Sequence, residues 1–141
     1  MLTLDQLRQS VAAHNQTIRS GGVQSAINRA NESRQAGNAE IQKRNGDPSR
    51  AAYLYEEAMD QLWPFDSKPD AAWPLILCLS NYALAASKQQ QHDKAIEACD
   101  DGLDLLARHG HAFPRDERAD KMEKLERRKQ QAQQALADAH A

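Results

Sequence analysis

Two stretches of this chain repeat one pattern of small and bulky residues. Ala51-x3-Tyr55-x2-Ala58 is matched 44 residues later by Ala95-x3-Cys99-x2-Gly102. Steps of four and three put each set on one face of a helix. Alanine or glycine at those steps lets the second helix of a pair sit close against the first. Each set is preceded by a turn and a helix of similar length, so the pattern asks for paired helices rather than a sheet. Composition closes the alternative: there are 24 alanines and 14 glutamines, but only nine Val, Ile and Thr together, and aromatics make up 5%. Strands favour β-branched and aromatic residues, whereas the residues abundant here are good helix formers. The sequence predicts an all-α fold, and 141 residues suit one domain.

Six helices follow from caps, breakers and apolar spacing. Thr3 and Gln6 form a capping box that opens a helix from about Leu4 to Ser20, with Leu4, Leu7, Val11 and Ile18 as its apolar stripe. Gly21-Gly22 is read as a break, and a second helix runs from Val23 to Arg44 with mostly small residues on its inner face. Asn45-Gly46-Asp47-Pro48 stops that helix and starts the next, which runs to about Leu62. Trp63 to Asp70 reads as a loop. Helices then cover about Ala71–Gln90, with Pro74 placed in its first turn, and 92 to 109, ending at Gly110. Pro114 begins a long last helix that carries Met122, Leu125, Ala132, Leu136 and Ala139.

Charge and motif searches exclude several classes. The longest apolar stretch, Ala71 to Leu79, contains Pro74 and is far too short to span a bilayer. Asp5, Gln6 and Arg8 interrupt any signal-peptide core. Cys78 and Cys99 fit neither a disulfide framework nor a zinc motif; both read as small core residues, which suits a reducing cytoplasmic setting. Residues 1–46 carry a balance of +3, residues 47–104 of −7 and residues 105–141 of +2, so no strongly basic block supports nucleic-acid binding. No phosphate loop or nucleophile motif is present, and no catalytic residue or cofactor is expected. His109-Gly110-His111 flanks a helix stop with no third ligand nearby, so no metal is expected there.

The run Ser80-Asn81-Tyr82-Ala83-Leu84-Ala85-Ala86, continuing to Asp93-Lys94-Ala95-Ile96-Glu97-Ala98-Cys99-Asp100, resembles the second repeat of co-chaperone tetratricopeptide repeat (TPR) domains. The resemblance covers residues 34–110. The period of 44 exceeds the usual TPR repeat of about 34 residues, mostly through the Trp63–Asp70 segment. It implies two antiparallel helix pairs within residues 31–141, an N-terminal helical extension over residues 1–30 and a long C-terminal capping helix.

In that family, one subgroup holds the acidic C-terminal tails of heat-shock protein 70 and 90 chaperones in a carboxylate clamp. Here Arg34 and Asn38 resemble its first element, Asn81 its second, and Lys124 with Arg128 its third. A terminal carboxylate takes charge-assisted donors from several helices at once. Counted back from Ala51 without a gap, however, the first slots fall on Ala36 and Glu40, and a two-residue bulge is needed to restore Arg34 and Asn38. The first-in-pair helices, which line the groove of such a repeat, carry a balance of +2, and the second-in-pair helices −5. That pattern favours an acidic peptide in the groove.

Two functions are therefore expected as alternatives. One is a non-catalytic adaptor that binds a peptide or a chaperone tail. The other is an assembly module, in which Leu4, Leu7 and Val11 at one end and Met122, Leu125 and Leu136 at the other pack on a partner or a second copy. Trp63 and Trp73 are read as covers over helix ends, and Glu126-Arg127-Arg128-Lys129 as a largely solvated face.

Overall fold

In a computed structural model, which describes residues 3–140, the chain is built from helices alone and no strand occurs among the described residues. Five α-helices run in order: α1 (Leu4–Gln42), α2 (Pro48–Leu62), α3 (Pro69–Lys88), α4 (His92–His109) and α5 (Arg115–Ala139). Short 3₁₀ turns at Trp63–Phe65 and Gly110–Ala112 join two of the connections. The expected all-α class of about six helices holds.

The N-terminal boundaries differ from expectation. The capping box forms, with Thr3 Oγ1 accepting from the Gln6 N–H at 3.1 Å and Gln6 Oε1 accepting from the Thr3 N–H at 2.9 Å. Gly21-Gly22 does not break the helix, however, and α1 continues for 39 residues. Two interior glycines cost about 1 kcal/mol each relative to alanine, but neither removes a backbone hydrogen bond as proline would. The boundary expected between residues 30 and 31 falls inside α1, where Ala26, Ile27 and Ala30 are already buried. Leu4 is 64% exposed, and the side chains of Leu7, Val11 and Ile18 lie outside the described residues.

The other starts and stops follow local chemistry. Asp47 caps α2 through its Oδ1, which accepts from the Ser49 N–H at 2.9 Å, and Pro48 takes the first helical position. The loop expected from Trp63 to Asp70 is shorter, because α3 already begins at Pro69. Pro74 consequently sits in the second turn and not the first. At the other end, α3 closes with Gln90 at φ 61°, while the Gln90 and Gln91 N–H groups bond to Ser87 O and Ala86 O. This is the double-bonded helix stop that usually employs glycine.

Each helix packs on the next, and α1, α3 and α5 also adjoin in turn on one side of the stack. Cross-helix pairs fix the sense. Arg29 with Gln61 and Asn38 with Tyr55 make α1 and α2 antiparallel, and Lys129 with Asp100 together with Leu125 against Gly102 do the same for α4 and α5. All six members of the repeated pattern (Ala51, Tyr55, Ala58, Ala95, Cys99 and Gly102) are buried. Gly102 leaves room for Leu125, whose Cδ1 would lie 3.0 Å from any added Cβ, so α5 seats on α4 there. Trp73 packs its ring on Phe113, with centroids 4.9 Å apart, at the approach to α5.

Candidate functional site

The side where α1, α3 and α5 adjoin carries the residues singled out by the sequence. On α1, Arg34 and Asn38 share one face one turn apart. Of the alternative pair, Ala36 is exposed, and Glu40 turns into the α1–α2 connection. Its carboxylate accepts from the Asp47 N–H at 3.1 Å and from Lys43 Nζ at 3.0 Å. Those contacts, the backbone one foremost, hold the Glu40 carboxyl below the usual carboxylate range. The two-residue bulge needed to restore the gapless register is not seen: α1 runs unbroken as α-helix to Gln42, and a five-residue turn, 43–47, precedes α2. Gly46 makes that turn feasible: a Cβ there would lie 1.9 Å from the Glu40 carbonyl oxygen.

Asn38 stands at the centre of the site. Its Oδ1 accepts from the Tyr55 hydroxyl at 2.6 Å and from Asn81 Nδ2 at 3.0 Å, which ties α1 to α2 and to α3. With the oxygen occupied twice, the Asn38 amide has its N–H donors left to offer, and none has a partner among the described residues. Tyr55 reaches this position because Gly37 lies under its ring: a Cβ on Gly37 would approach Tyr55 Cε1 to 2.7 Å. Burial pushes the Tyr55 phenol up to about 12, so it acts as a neutral donor.

The cations come from α1 and α5. Lys121, Lys124, Leu125 and Arg128 recur at three and four residues, and the three basic groups are half-buried beside the core residue Leu125. Arg128 Nη1 donates to the carbonyl and to the hydroxyl of Ser80, the latter at 2.8 Å, and so anchors α5 beside Asn81. Arg34 donates to Asn31 at 3.4 Å, and its Nε is buried without a partner. Lys121 is pushed down to about 8, first by burial and then by Lys124, Arg128 and Arg34. No carboxylate within 4 Å pairs with Arg34, Lys121, Lys124 or Arg128 among the described residues.

All five expected site residues therefore lie on the one side formed by α1, α3 and α5. Asn38 bonds directly to Asn81, Arg128 bonds to the residue before Asn81, and Arg34 is close enough to Lys121 to disfavour its charge. Lys121 and Tyr55 were not among the expected residues. Lys121 was legible as the first step of a Lys121, Lys124, Arg128 stripe. Tyr55 belongs to the repeated helical face and its ring lies in the core; only its hydroxyl reaches the site, at Asn38.

Other features carry less. A depression of about 540 Å³ lies between α1 and α2 beside Arg29, Glu32, Glu56, Glu57 and Asp60, a mostly acidic lining that disfavours carboxylates. His109 is buried and its Nε2 lies 2.8 Å from the Asp66 carbonyl oxygen. Cys78 and Cys99 are buried free thiols, and burial pushes Cys78 up to about 12 and Cys99 to about 11, which leaves both unreactive. No helix among the described residues is long and apolar enough to cross a membrane. Comparison with protein-family models, with curated proteins and with solved structures finds no match for this chain.

Proposed function

We propose that this chain is a TPR-like adaptor that binds the free C-terminal carboxylate of a partner peptide on its α1–α3–α5 side. The observation that carries this reading is the gathering of Arg34, Asn38, Asn81, Lys124 and Arg128 from three helices, with no carboxylate within 4 Å of the three cations among the described residues. Cations held half-buried without counter-ions cost stability, which is recovered when an anion arrives. The amides of Asn38 and Asn81 are pre-positioned by Tyr55 and by each other, so little ordering is left for the moment of binding. The succession of α1, α3 and α5 along one side supports a repeat-type groove.

The adaptor acts by binding alone, without a cofactor. Chaperone tails, which the family resemblance names, are the first ligands to try, and a reducing cytoplasmic setting suits the two unpaired cysteines. Calorimetry with a tail peptide ending in a free acid and with its amidated form tests the reading. The free acid binds, the amide loses about tenfold or more, and Asn81→Ala lowers affinity without unfolding the domain. Equal binding of the two peptides overturns the clamp.

Assembly through the terminal helices is the second reading, favoured by the exposure of Leu4 (64%) and Met122 (38%). Leu125 drops out of that surface, because it is fully buried against Gly102. A concentration-independent dimer in light scattering that dissociates on Leu4→Ser and Met122→Ser supports assembly instead.

A further inference from the structure

Beside the cation cluster, α3 and α5 enclose a depression of about 330 Å³ whose lining is bipolar. Trp73 and Leu77 line it from α3, and Lys121 and Lys124 from α5 on the side toward Arg128. Glu117 and Asp120, one turn before Lys121 and Lys124, complete it with two exposed carboxylates that form no ion pair among the described residues. Arg128 touches Ser80, and the depression brings Trp73 and Leu77 to residues 117–124, so the two helices run side by side in matching register from the cluster to this pocket.

Building on the clamp reading, we propose that the groove selects a C-terminal peptide carrying a lysine or arginine about four residues before its terminal carboxylate, rather than a uniformly acidic tail. Helix α5 sets the spacing. Asp120 and Glu117 precede Arg128 by eight and eleven residues, which is about 12 and 16 Å along a helix. An extended peptide covers that distance in about four or five residues at 3.3 Å each. A cationic side chain placed there meets two carboxylates and the Trp73 indole, a pairing that favours charge over the ring face and a guanidinium above all. A glutamate at the same place meets Glu117 and Asp120 first, with Lys121 and Lys124 one turn further on, and is disfavoured there. The aliphatic stem of the basic residue covers Leu77.

The test uses eight-residue peptides, amino-terminally labelled with fluorescein and ending in aspartate, read by anisotropy against the full chain. One carries Lys four residues before the last, a second Glu at that place, and a third is the Lys peptide with an amidated end. The Lys peptide binds about tenfold tighter than the Glu peptide at low salt, and Glu117→Gln/Asp120→Asn reduces that preference to near unity. Both changed residues are exposed, so the variant keeps its fold, which circular dichroism checks. If Lys and Glu peptides bind equally while the amide fails, the upstream preference is overturned and the clamp stands. If the amide binds as well as the acid, or no peptide binds, the clamp falls and takes this inference with it.

Discussion

Asn81 Nδ2 donates to Asn38 Oδ1 at 3.0 Å, joining α3 to α1 through an oxygen that also accepts from the buried Tyr55 hydroxyl at 2.6 Å. Two residues 43 apart in sequence thus share one oxygen, and the two substitutions are not equivalent. Asn38→Ala leaves the Tyr55 hydroxyl buried without its acceptor and costs about 1–3 kcal/mol. Asn81→Ala removes one half-buried donor and costs about 0.5–1.5 kcal/mol. Urea melts separate the two. Tyr55→Phe in the Asn38→Ala background restores part of the loss, because the orphaned hydroxyl is gone. A double-mutant cycle that shows simple additivity between Asn38 and Tyr55 contradicts the network.

Lys121 makes stability, and under the proposed function also affinity, depend on pH above neutrality. Its ammonium is pushed from 10.5 down to about 8 by burial and by Lys124, Arg128 and Arg34. The folded state therefore binds fewer protons than the unfolded chain between about 8 and 10.5, and stability rises with pH across that window. A bound anion favours the charged form and raises the pKa again. Ligand affinity is then fully present below about 8 and falls as pH rises through it. Lys121→Met removes the like-charge repulsion, so the free protein melts higher. The same variant binds a free-acid peptide more weakly at pH 7 and loses less between pH 7 and pH 9. Titrations at those two pH values check the sign, and a wild-type affinity that increases toward pH 9 contradicts it.

Much of the fold was legible because caps and breakers act locally. Asp47-Pro48, the alanine steps at 51, 58 and 95, and Gly110 mark ends and faces that the structure keeps. Gly21-Gly22 misled, since glycine permits a break without forcing one and nothing else in that segment ends a helix. The choice between Arg34 and Ala36 was ambiguous for a different reason. It depends on where α1 ends before α2, and at that turn, 43–47, Gly46 lies against the Glu40 carbonyl. Such a contact joins residues six apart through backbone geometry and leaves no periodic trace. Lys121 shared a stripe with Lys124 and Arg128, but its burial depends on α3, which periodicity within α5 does not report.

That turn can be tested directly. Gly46→Ala places a Cβ 1.9 Å from the Glu40 carbonyl oxygen, a backbone atom that cannot step aside without reopening the connection. Gly102→Ala meets only the Leu125 side chain, at 3.0 Å, which can shift its rotamer. Gly46→Ala is expected to lose more stability than Gly102→Ala, whose overpacking costs about 1–3 kcal/mol. It also weakens peptide binding in the molecules that remain folded, because α1 and the Arg34–Asn38 face lose their register. Equal melting points for the two variants contradict the role assigned to Gly46.

The stop of α3 offers a gain instead of a loss. Gln90 holds φ at 61° to let the Gln90 and Gln91 N–H groups reach Ser87 O and Ala86 O. A side chain in this left-handed region costs about 1–2 kcal/mol that glycine does not bear. Part of that is returned as extra backbone freedom in the unfolded chain, so the net gain from Gln90→Gly is about 0.5–1 kcal/mol. For a chain of this size that raises Tm by about 2–4 °C. Gln90 is exposed and the hydrogen bonds of the stop are made by backbone, so no contact is given up. Peptide affinity is unchanged, because the residue lies beyond the last turn of α3 and away from Asn81. Gln90→Ala serves as the control: it keeps the strain and leaves Tm near the wild-type value, and a rise equal to that of the glycine variant contradicts a conformational origin.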